Sequence, residues 1–154
     1  MNATFIGPEE SGKSTLALNT AKRIARGRPI YIVSEDNKSP HPSVIPITIE
    51  QFHEVRNAVV IVDDTTAFLE TYDLMKKDNK LKAPVVRSRW RNRVNMFVFH
   101  TADDAIKFFL RNSRYIYISE KINPAVYKNV KELKGIKPEI IGRNGFTFLR
   151  FKRY

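Results

Sequence analysis

The sequence contains no cysteine and only three histidines, His41, His53 and His100. The absence of cysteine excludes disulfide bonds and thiolate metal sites. The three histidines do not have the spacing of a zinc site. Neither a disulfide-stapled fold nor a zinc-dependent activity is therefore expected.

Long hydrophobic runs are also missing. No basic segment followed by an apolar one, the mark of a signal peptide, stands at the N-terminus. The longest apolar stretches are far shorter than the roughly 20 residues of a membrane span. We therefore expect a soluble, cytoplasmic protein with no membrane contact. Hydrophobic residues make up 42% of the 154 residues, and no repeat or linker is evident, so one domain over 1–154 is predicted.

Acidic residues are outnumbered, with 16 Asp and Glu against 27 Lys and Arg, which gives a net charge of +11. Such an excess favours a polyanionic partner, because basic side chains near phosphates release counterions. Nucleic acid is favoured over a membrane surface, since no basic amphipathic helix stands out. The alternative is that the charge only keeps the domain in solution.

Short apolar segments alternate with helical ones along the chain. Alternation of this kind predicts an α/β fold, in which helices flank both faces of a mostly parallel central sheet. The predicted strands are 3–7, 29–34, 58–64, 95–101 and 114–119, the predicted helices are 13–26, 49–55, 66–76, 103–112 and 124–133, and the remaining elements are an extended piece at 44–48 and a C-terminal β-hairpin over 139–154 turned at "RNG".

The segment "GPEESGKS", residues 7–14, fits the pattern G-x-x-x-x-G-K-[ST] and lies between a predicted strand and a predicted helix. This phosphate loop predicts binding of ATP, because its backbone N–H groups and the helix N-terminus hold phosphate oxygens. Lys13 is expected to contact the β- and γ-phosphates, and the Ser14 hydroxyl to bind Mg²⁺. The predicted nucleotide-binding residues are Gly7, Pro8, Glu9, Glu10, Ser11, Gly12, Lys13, Ser14 and Thr15.

The segment "VVIVDD" ends a hydrophobic strand with two carboxylates. Asp63 is predicted to hold Mg²⁺ directly or through water. Asp64 is predicted to act as the general base on the attacking water, although it can instead cap the following helix. Glu9 and Glu10 are expected to face solvent, with a catalytic role for Glu10 left open.

His100 ends the strand "NMFVFH". If this strand lies between the loop strand and the Asp63 strand, the imidazole meets the γ-phosphate and can act as a sensor of hydrolysis. A packed core histidine is the alternative.

The segment "RSRWRNR" places Arg87, Arg89, Arg91 and Arg93 within seven residues. Guanidinium groups stabilise charge on transferring phosphoryl groups and also bind nucleic-acid backbones. A plain basic helix is the alternative. Trp90 can either pack on the core or brace the arginines.

The ordered set "GPEESGKS", "VVIVDD", "NMFVFHT" and "LRNSRYIYIS" resembles the FtsK–HerA branch of P-loop ATPases, and most closely the viral and phage genome-packaging ATPases and zonula-occludens-toxin-like proteins. The resemblance implies a RecA-like fold of the additional-strand catalytic-glutamate type, with sheet order 5-1-4-3-2. The family's sensor is usually Gln or Asn, where this chain has His100. Its second acidic residue is usually Glu, where this chain has Asp64. The resemblance suggests Arg89 or Arg91 as an arginine finger acting across a subunit boundary.

The function that the resemblance implies is an ATP-hydrolysing motor that translocates double-stranded DNA. It implies a homo-oligomeric ring, pentameric or hexameric, working with capsid proteins in the host cytoplasm or on the virion. The alternatives are a small nucleotide or nucleoside kinase, which shares the loop and size, and a nucleotide-gated assembly or secretion factor.

Overall fold

The structure is a computed structural model that describes residues 1–71, 82–100, 106–143 and 145–154. The strands are β1 (Asn2–Ile6), β2 (Ile30–Val33), β3 (Val44–Ile47), β4 (Val59–Val62), β5 (Val94–Phe99), β6 (Tyr115–Ser119), β7 (Glu139–Arg143) and β8 (Phe146–Lys152). The helices are α1 (Lys13–Ile24), α2 (Ile49–Phe52), α3 (Thr65–Thr71), α4 (Lys82–Val86) and α5 (Ile106–Asn112).

All eight strands form one sheet, in the order β3-β2-β4-β5-β1-β6-β8-β7. The first six strands of that order pair in parallel, and the C-terminal hairpin β7–β8 adds two antiparallel strands beside β6. The fold is thus α/β with a mixed sheet. The predicted hairpin over 139–154 is confirmed.

The strand order differs from the predicted 5-1-4-3-2 because the sheet has three more strands. The segment predicted only as an extended piece is β3, which pairs with β2 along its whole length and places Pro46 opposite Ile32 at the sheet edge. The hairpin supplies the other two strands, and the inner parallel strands run β6-β1-β5-β4-β2. The apolar signal of β3 is weak because its two middle residues, Ile45 and Pro46, are exposed.

The central strands of the sheet are buried on both faces, which explains their continuous apolar runs. Every residue of β1, β4 and β5 is buried. In β5, Met96 and Val98 pack with Leu16 of α1, whereas Phe97 and Phe99 pack with Phe109 of α5 on the other face. This central position fixes the carboxyl ends of β1, β4 and β5 relative to one another.

One predicted helix is wrong. The segment 124–133 contains two 3₁₀ turns, Pro124–Val126 and Lys131–Leu133, instead of one α-helix. Asn123 accepts a hydrogen bond from the Ala125 N–H and starts the first turn, but Tyr127 then leaves the helical region with φ −121°. Val, Tyr and Asn residues in this stretch have low helix propensity, and the tertiary packing of Tyr127 on the core decides the conformation.

Several predicted boundaries shift or run beyond the described residues. The predicted helices 66–76 and 103–112 overlap α3 and α5, while 72–76 and 103–105 lie outside the described residues. The strand predicted over 95–101 is Val94–Phe99, so His100 follows the strand and position 101 lies outside the described part. In the described part of the chain, no helix combines the length and apolarity needed to cross a bilayer.

Candidate active site

The phosphate loop connects β1 to α1 and has two residues in the left-handed region. Glu10 has φ 57° and Gly12 has φ 81°. Gly12 is the N-cap of α1, and no side chain caps the helix there. The first N–H groups of α1 therefore have no side-chain acceptor, which is the condition for binding an anion.

Gly7 and Ser11 pack closely at the base of the loop. A Cβ on Gly7 would lie 2.3 Å from the Ser11 Oγ and 3.0 Å from the Ser119 Cβ, so any larger residue would force Ser11 to move. The Gly7 N–H donates to the Phe99 carbonyl at 3.1 Å, which joins the loop to the end of β5. Ser11 is 1% exposed, and its hydroxyl has no hydrogen-bond partner among the described residues. A buried hydroxyl without a partner can form a hydrogen bond with a polar group of a ligand.

Lys13 lies folded across the loop and is only 4% exposed. Its Nζ donates to the Pro8 carbonyl at 2.9 Å. Burial lowers the pKa of Lys13, while the negative charges of Asp63, Glu9 and Asp64 act in the opposite direction. The ammonium group is thus held beside the loop, close to carboxylates that favour its charged form.

Ser14 and Asp63 meet although they are far apart in sequence. The Ser14 hydroxyl donates to the Asp63 Oδ1 at 3.1 Å. Asp63 follows β4, and its own N–H donates to the Val33 carbonyl at 2.9 Å. A hydroxyl and a carboxylate are hard oxygen donors, so this pair fits Mg²⁺.

Asp64 and His100 form a second pair beside the first. The His100 Nε2 lies 3.5 Å from the Asp64 Oδ1, and both side chains are partly exposed. Asp64 has φ 48°, a left-handed conformation that is uncommon for a non-glycine residue. The His100 Nδ1 is buried and has no partner among the described residues. The pair can hold or transfer a proton at the carboxylate.

The structure brings the loop, Asp63, Asp64 and His100 together for a topological reason. The loop follows β1, the two aspartates follow β4, and His100 follows β5, and these strands are parallel neighbours. Their carboxyl ends share one edge of the sheet, where α/β proteins place their ligands. The predicted loop residues Glu9, Glu10, Ser14 and Thr15 are exposed at this edge.

Arg89 and Arg91 lie elsewhere. They precede Val94, the first residue of β5, and are therefore at the amino ends of the parallel strands. A six-residue strand separates them from the phosphate loop by roughly 20 Å. Arg89 is exposed, whereas the half-buried Arg91 donates from Nη1 to the His53 carbonyl. Neither contacts the phosphate loop of its own chain.

Two residues that sequence reasoning missed contact the loop from the C-terminal part. The ring of Phe146, at the start of β8, lies against Gly12, where an added Cβ would be 2.6 Å from the Phe146 Cδ2. The Lys121 Nζ donates to the Glu10 carbonyl at 3.4 Å and lies 5.7 Å from the Phe146 ring centroid. No local sequence signal marks either residue, since both contacts depend on the hairpin joining the sheet beside β6.

A cavity of about 300 Å³ opens beside the Ser14–Asp63 pair. Its apolar wall is formed by Leu18 and Ile61, and Asp36 and Lys38 lie on its polar side. The cavity is large enough for a small polar molecule next to the phosphate loop.

No family model matches the chain, and no curated protein matches it in sequence. Solved structures are similar in fold. The genome packaging NTPase B204 from Sulfolobus turreted icosahedral virus 2, in complex with sulfate, is 14% identical with a TM-score of 0.63, over 99% of this chain and 96% of that protein. B204 in complex with AMPPCP is 12% identical with a TM-score of 0.59, over 82% of this chain and 77% of that protein.

Two further proteins share the fold. The pCW3 conjugation coupling protein TcpA, with ATPγS, is 11% identical with a TM-score of 0.61, over 99% of this chain and 60% of TcpA. The flagellar accessory protein FlaH from Methanocaldococcus jannaschii is 12% identical with a TM-score of 0.58, over 99% of this chain and 78% of FlaH. The chain described here shares its α/β fold with these solved structures.

Proposed function

We propose that this chain is a Mg²⁺-dependent ATPase of the FtsK–HerA branch, formed by one domain over 1–154. The observation that carries the proposal is the convergence of the buried Lys13 with the Ser14–Asp63 pair, whose oxygens are 3.1 Å apart. A lysine, a hydroxyl and a carboxylate at the end of a phosphate loop form the set that a nucleoside triphosphate and its metal require.

Each residue of the site then has a defined task. The loop amides and Lys13 bind the phosphates, and Ser14 and Asp63 hold Mg²⁺, which when bound neutralises charge on the phosphate oxygens. Asp64 accepts the proton of the attacking water, and His100, 3.5 Å away, orients the Asp64 carboxylate. Gly7 allows the close packing at Ser11 that shapes the loop.

We propose that a second copy of the chain supplies a further positive charge to the site, as an arginine finger. Arg89 is exposed near the amino ends of the parallel strands, whereas the phosphate loop lies at their carboxyl ends. It therefore reaches a phosphate only on a neighbouring subunit. A head-to-tail contact of this kind closes into a ring, here a pentamer or hexamer. The bond of Arg91 to the His53 carbonyl makes Arg91 the weaker candidate for this finger.

The substrate of the motor is proposed to be double-stranded DNA, held through its phosphates in a basic ring. The net charge of +11 supports a polyanionic partner. The packaging NTPase B204 and the conjugation coupling protein TcpA, which share the fold, support a role in DNA transfer. Packaging of a viral genome, with capsid proteins as partners in the host cytoplasm or on the virion, is the role we favour.

The test is ATPase activity measured against protein concentration, with and without duplex DNA. A ring predicts a specific activity that rises with concentration and is stimulated by duplex DNA. Lys13→Ala should abolish turnover, whereas Lys22→Ala, an exposed lysine on the same helix, should leave it unchanged. Tight ATP binding without turnover, with DNA present, would instead identify a nucleotide-gated assembly or secretion factor.

The cavity beside Ser14 and Asp63 favours a second candidate, a small-molecule kinase. An acceptor bound between Asp36 and Asp63 would lie next to the γ-phosphate. The two candidates differ in product: a kinase transfers the phosphoryl group to a nucleoside or nucleotide, and a motor releases inorganic phosphate. Phosphoryl transfer in a screen of such acceptors, without DNA-stimulated hydrolysis, would decide for the kinase.

A further inference from the structure

Trp90 lies near the amino ends of the parallel strands, where it is 88% exposed. It is the only tryptophan in the chain. An indole left in water forgoes a large favourable burial, and tryptophan is enriched at binding interfaces. The site described above does not use Trp90, which lies roughly a strand length away from the phosphate loop.

Three arginines share a surface groove with the indole. Arg56, Arg87 and Arg91 line, together with Trp90, one surface groove of about 480 Å³, here called the Trp90 groove. The Arg91 N–H donates to the Arg87 carbonyl at 3.3 Å, a helical turn that places residues 87, 90 and 91 on the same side. The sequence "RSRWRNR" thus folds so that two of its arginines flank the tryptophan.

The described residues place no balancing carboxylate on the arginines of the groove. None of its three arginines makes an ion pair with a carboxylate among the described residues. Burial lowers the pKa of Arg91, and repulsion from Arg56 and Arg87 lowers it further. Three like charges around one aromatic ring are unfavourable in the free protein and become favourable when an anion binds.

The groove is separate from the surface proposed to act across a subunit boundary. Arg89 points into a different cavity, lined also by Arg114 and Tyr154. The segment 87–93 therefore has two faces, one with Arg89 and one with the Trp90 groove. A ligand can occupy the groove without displacing Arg89.

We propose that the Trp90 groove binds single-stranded nucleic acid, with an unpaired base stacked on Trp90 and the flanking phosphates on Arg56, Arg87 and Arg91. A single strand presents phosphates and the flat faces of its bases in alternation. The guanidinium groups of the groove suit the phosphates, and the indole suits a base. In a duplex, the base faces are covered by their neighbours, so only unpaired or terminal bases can stack on a protein side chain. The inference goes beyond the proposed motor activity and does not depend on ATP hydrolysis.

The tryptophan itself reports the interaction. Titration of the full chain with a thymidine oligonucleotide should quench the intrinsic fluorescence, because stacking of a base on the indole provides a path for quenching. An abasic oligonucleotide of equal length carries the same phosphates without bases and should bind more weakly without quenching. A relaxed circular duplex, which has no terminal bases, should also leave the fluorescence unchanged.

Variants separate the contribution of stacking from that of charge. The fluorescence anisotropy of a labelled oligonucleotide measures the affinity of each variant. Trp90→Ala should weaken binding about tenfold, and Trp90→Phe should recover part of the loss. Arg87→Gln should weaken binding and reduce the slope of log affinity against log salt by about one. The matched control is Arg111→Gln, an exposed arginine paired with Glu132 away from the groove, which should bind like the unaltered chain.

Two outcomes would overturn the proposal. Equal affinity of Trp90→Ala and the unaltered chain for single strands would exclude stacking. Loss of self-association in sedimentation with Trp90→Ala, without any change in nucleic-acid affinity, would assign the groove to a second copy of the chain. Lys13→Ala should retain single-strand binding, so a failure of the proposed ATPase and a failure of the groove give different results.

Discussion

The ring of Phe146 lies directly on Gly12, which joins the end of the chain to the phosphate loop near its start. A Cβ on Gly12 would fall 2.6 Å from the Phe146 Cδ2. Lys121 adds a hydrogen bond to the Glu10 carbonyl in the same loop. The C-terminal hairpin is thus one wall of the phosphate loop, and the loop's shape depends on it.

Substitution of Gly12 tests this contact, with Gly27→Ala as the matched control. Both glycines have positive φ, 81° and 84°, but nothing lies within 4 Å of a Cβ on Gly27. Gly27→Ala should lose about 1–2 kcal/mol of unfolding free energy from backbone strain alone. Gly12→Ala should lose about 1–3 kcal/mol more, because the methyl group meets the ring.

Urea denaturation without nucleotide measures both variants. Phe146→Ala, which removes the ring, should make the difference between the two glycine substitutions disappear. Equal losses at Gly12 and Gly27 with the ring present would show that Phe146 gives way and does not shape the loop.

Asp64→Asn should separate nucleotide binding from turnover. The amide keeps the size of the side chain but cannot accept the proton of the attacking water. We expect ATP affinity to change little and the turnover rate to fall about 100-fold or more. Single-turnover hydrolysis and binding of a fluorescent ATP analogue measure the two quantities. Asp63→Asn is the contrasting variant, since it should weaken the Mg²⁺ dependence of binding. Unchanged turnover in Asp64→Asn would make Asp64 a structural residue of the β4–α3 junction.

Arg89→Ala should inactivate the ATPase in a manner that a second, differently altered subunit can repair. Mixing it with Lys13→Ala subunits creates interfaces in which an intact Lys13 faces an intact Arg89. When equal amounts assemble at random, about a quarter of the interfaces have an intact Lys13 facing an intact Arg89. ATPase activity across mixing ratios measures the recovery, and Arg111→Ala should be active without any mixing. Absence of recovery at every ratio would contradict the action of Arg89 across a subunit boundary.

Arg93 is expected to matter for stability instead of catalysis. It is 1% exposed, and its guanidinium donates to the Phe52 carbonyl at 2.6 Å, the Val55 carbonyl at 3.0 Å and the Asn95 Oδ1 at 2.7 Å. Burial lowers its pKa to about 9, with a further contribution from the charge of Arg91.

Arg93→Met should therefore cost about 3–5 kcal/mol, because three buried acceptors lose their donor. Arg89→Met, in the same segment but exposed, should change the unfolding free energy by less than about 0.5 kcal/mol. Chemical denaturation compares them. Equal effects would mean that the guanidinium of Arg93 contributes little to the link between the segment 87–93 and α2.

The phosphate loop and Asp63 could be predicted because their signals are local. Glycines at fixed spacing, a lysine and a following helix identify the loop, and an aspartate after a buried run identifies the end of a strand. The structure then brings Ser14 and Asp63 into contact. Phe146 and Lys121 could not be predicted, since their position depends on which strand the C-terminal hairpin joins.

The arginine segment shows where sequence patterns stop being informative. Four arginines at every second position look equivalent, yet Arg93 is buried, Arg91 is tied to a carbonyl, and Arg87 and Arg89 are exposed on different cavities. A helical turn at 87–91 followed by the start of β5 produces this separation. The sequence of the segment itself indicates neither the turn nor the carbonyl acceptors at residues 52–55.

The position of β1 has a consequence for biogenesis. Its two neighbours in the sheet are β5 and β6, whose last residue is Ser119. The ribosome therefore synthesises the apolar segment "NATFI" long before either flanking strand. Until those strands follow, the segment can associate with other apolar surfaces. Long-range pairing of this type slows folding and exposes intermediates to aggregation.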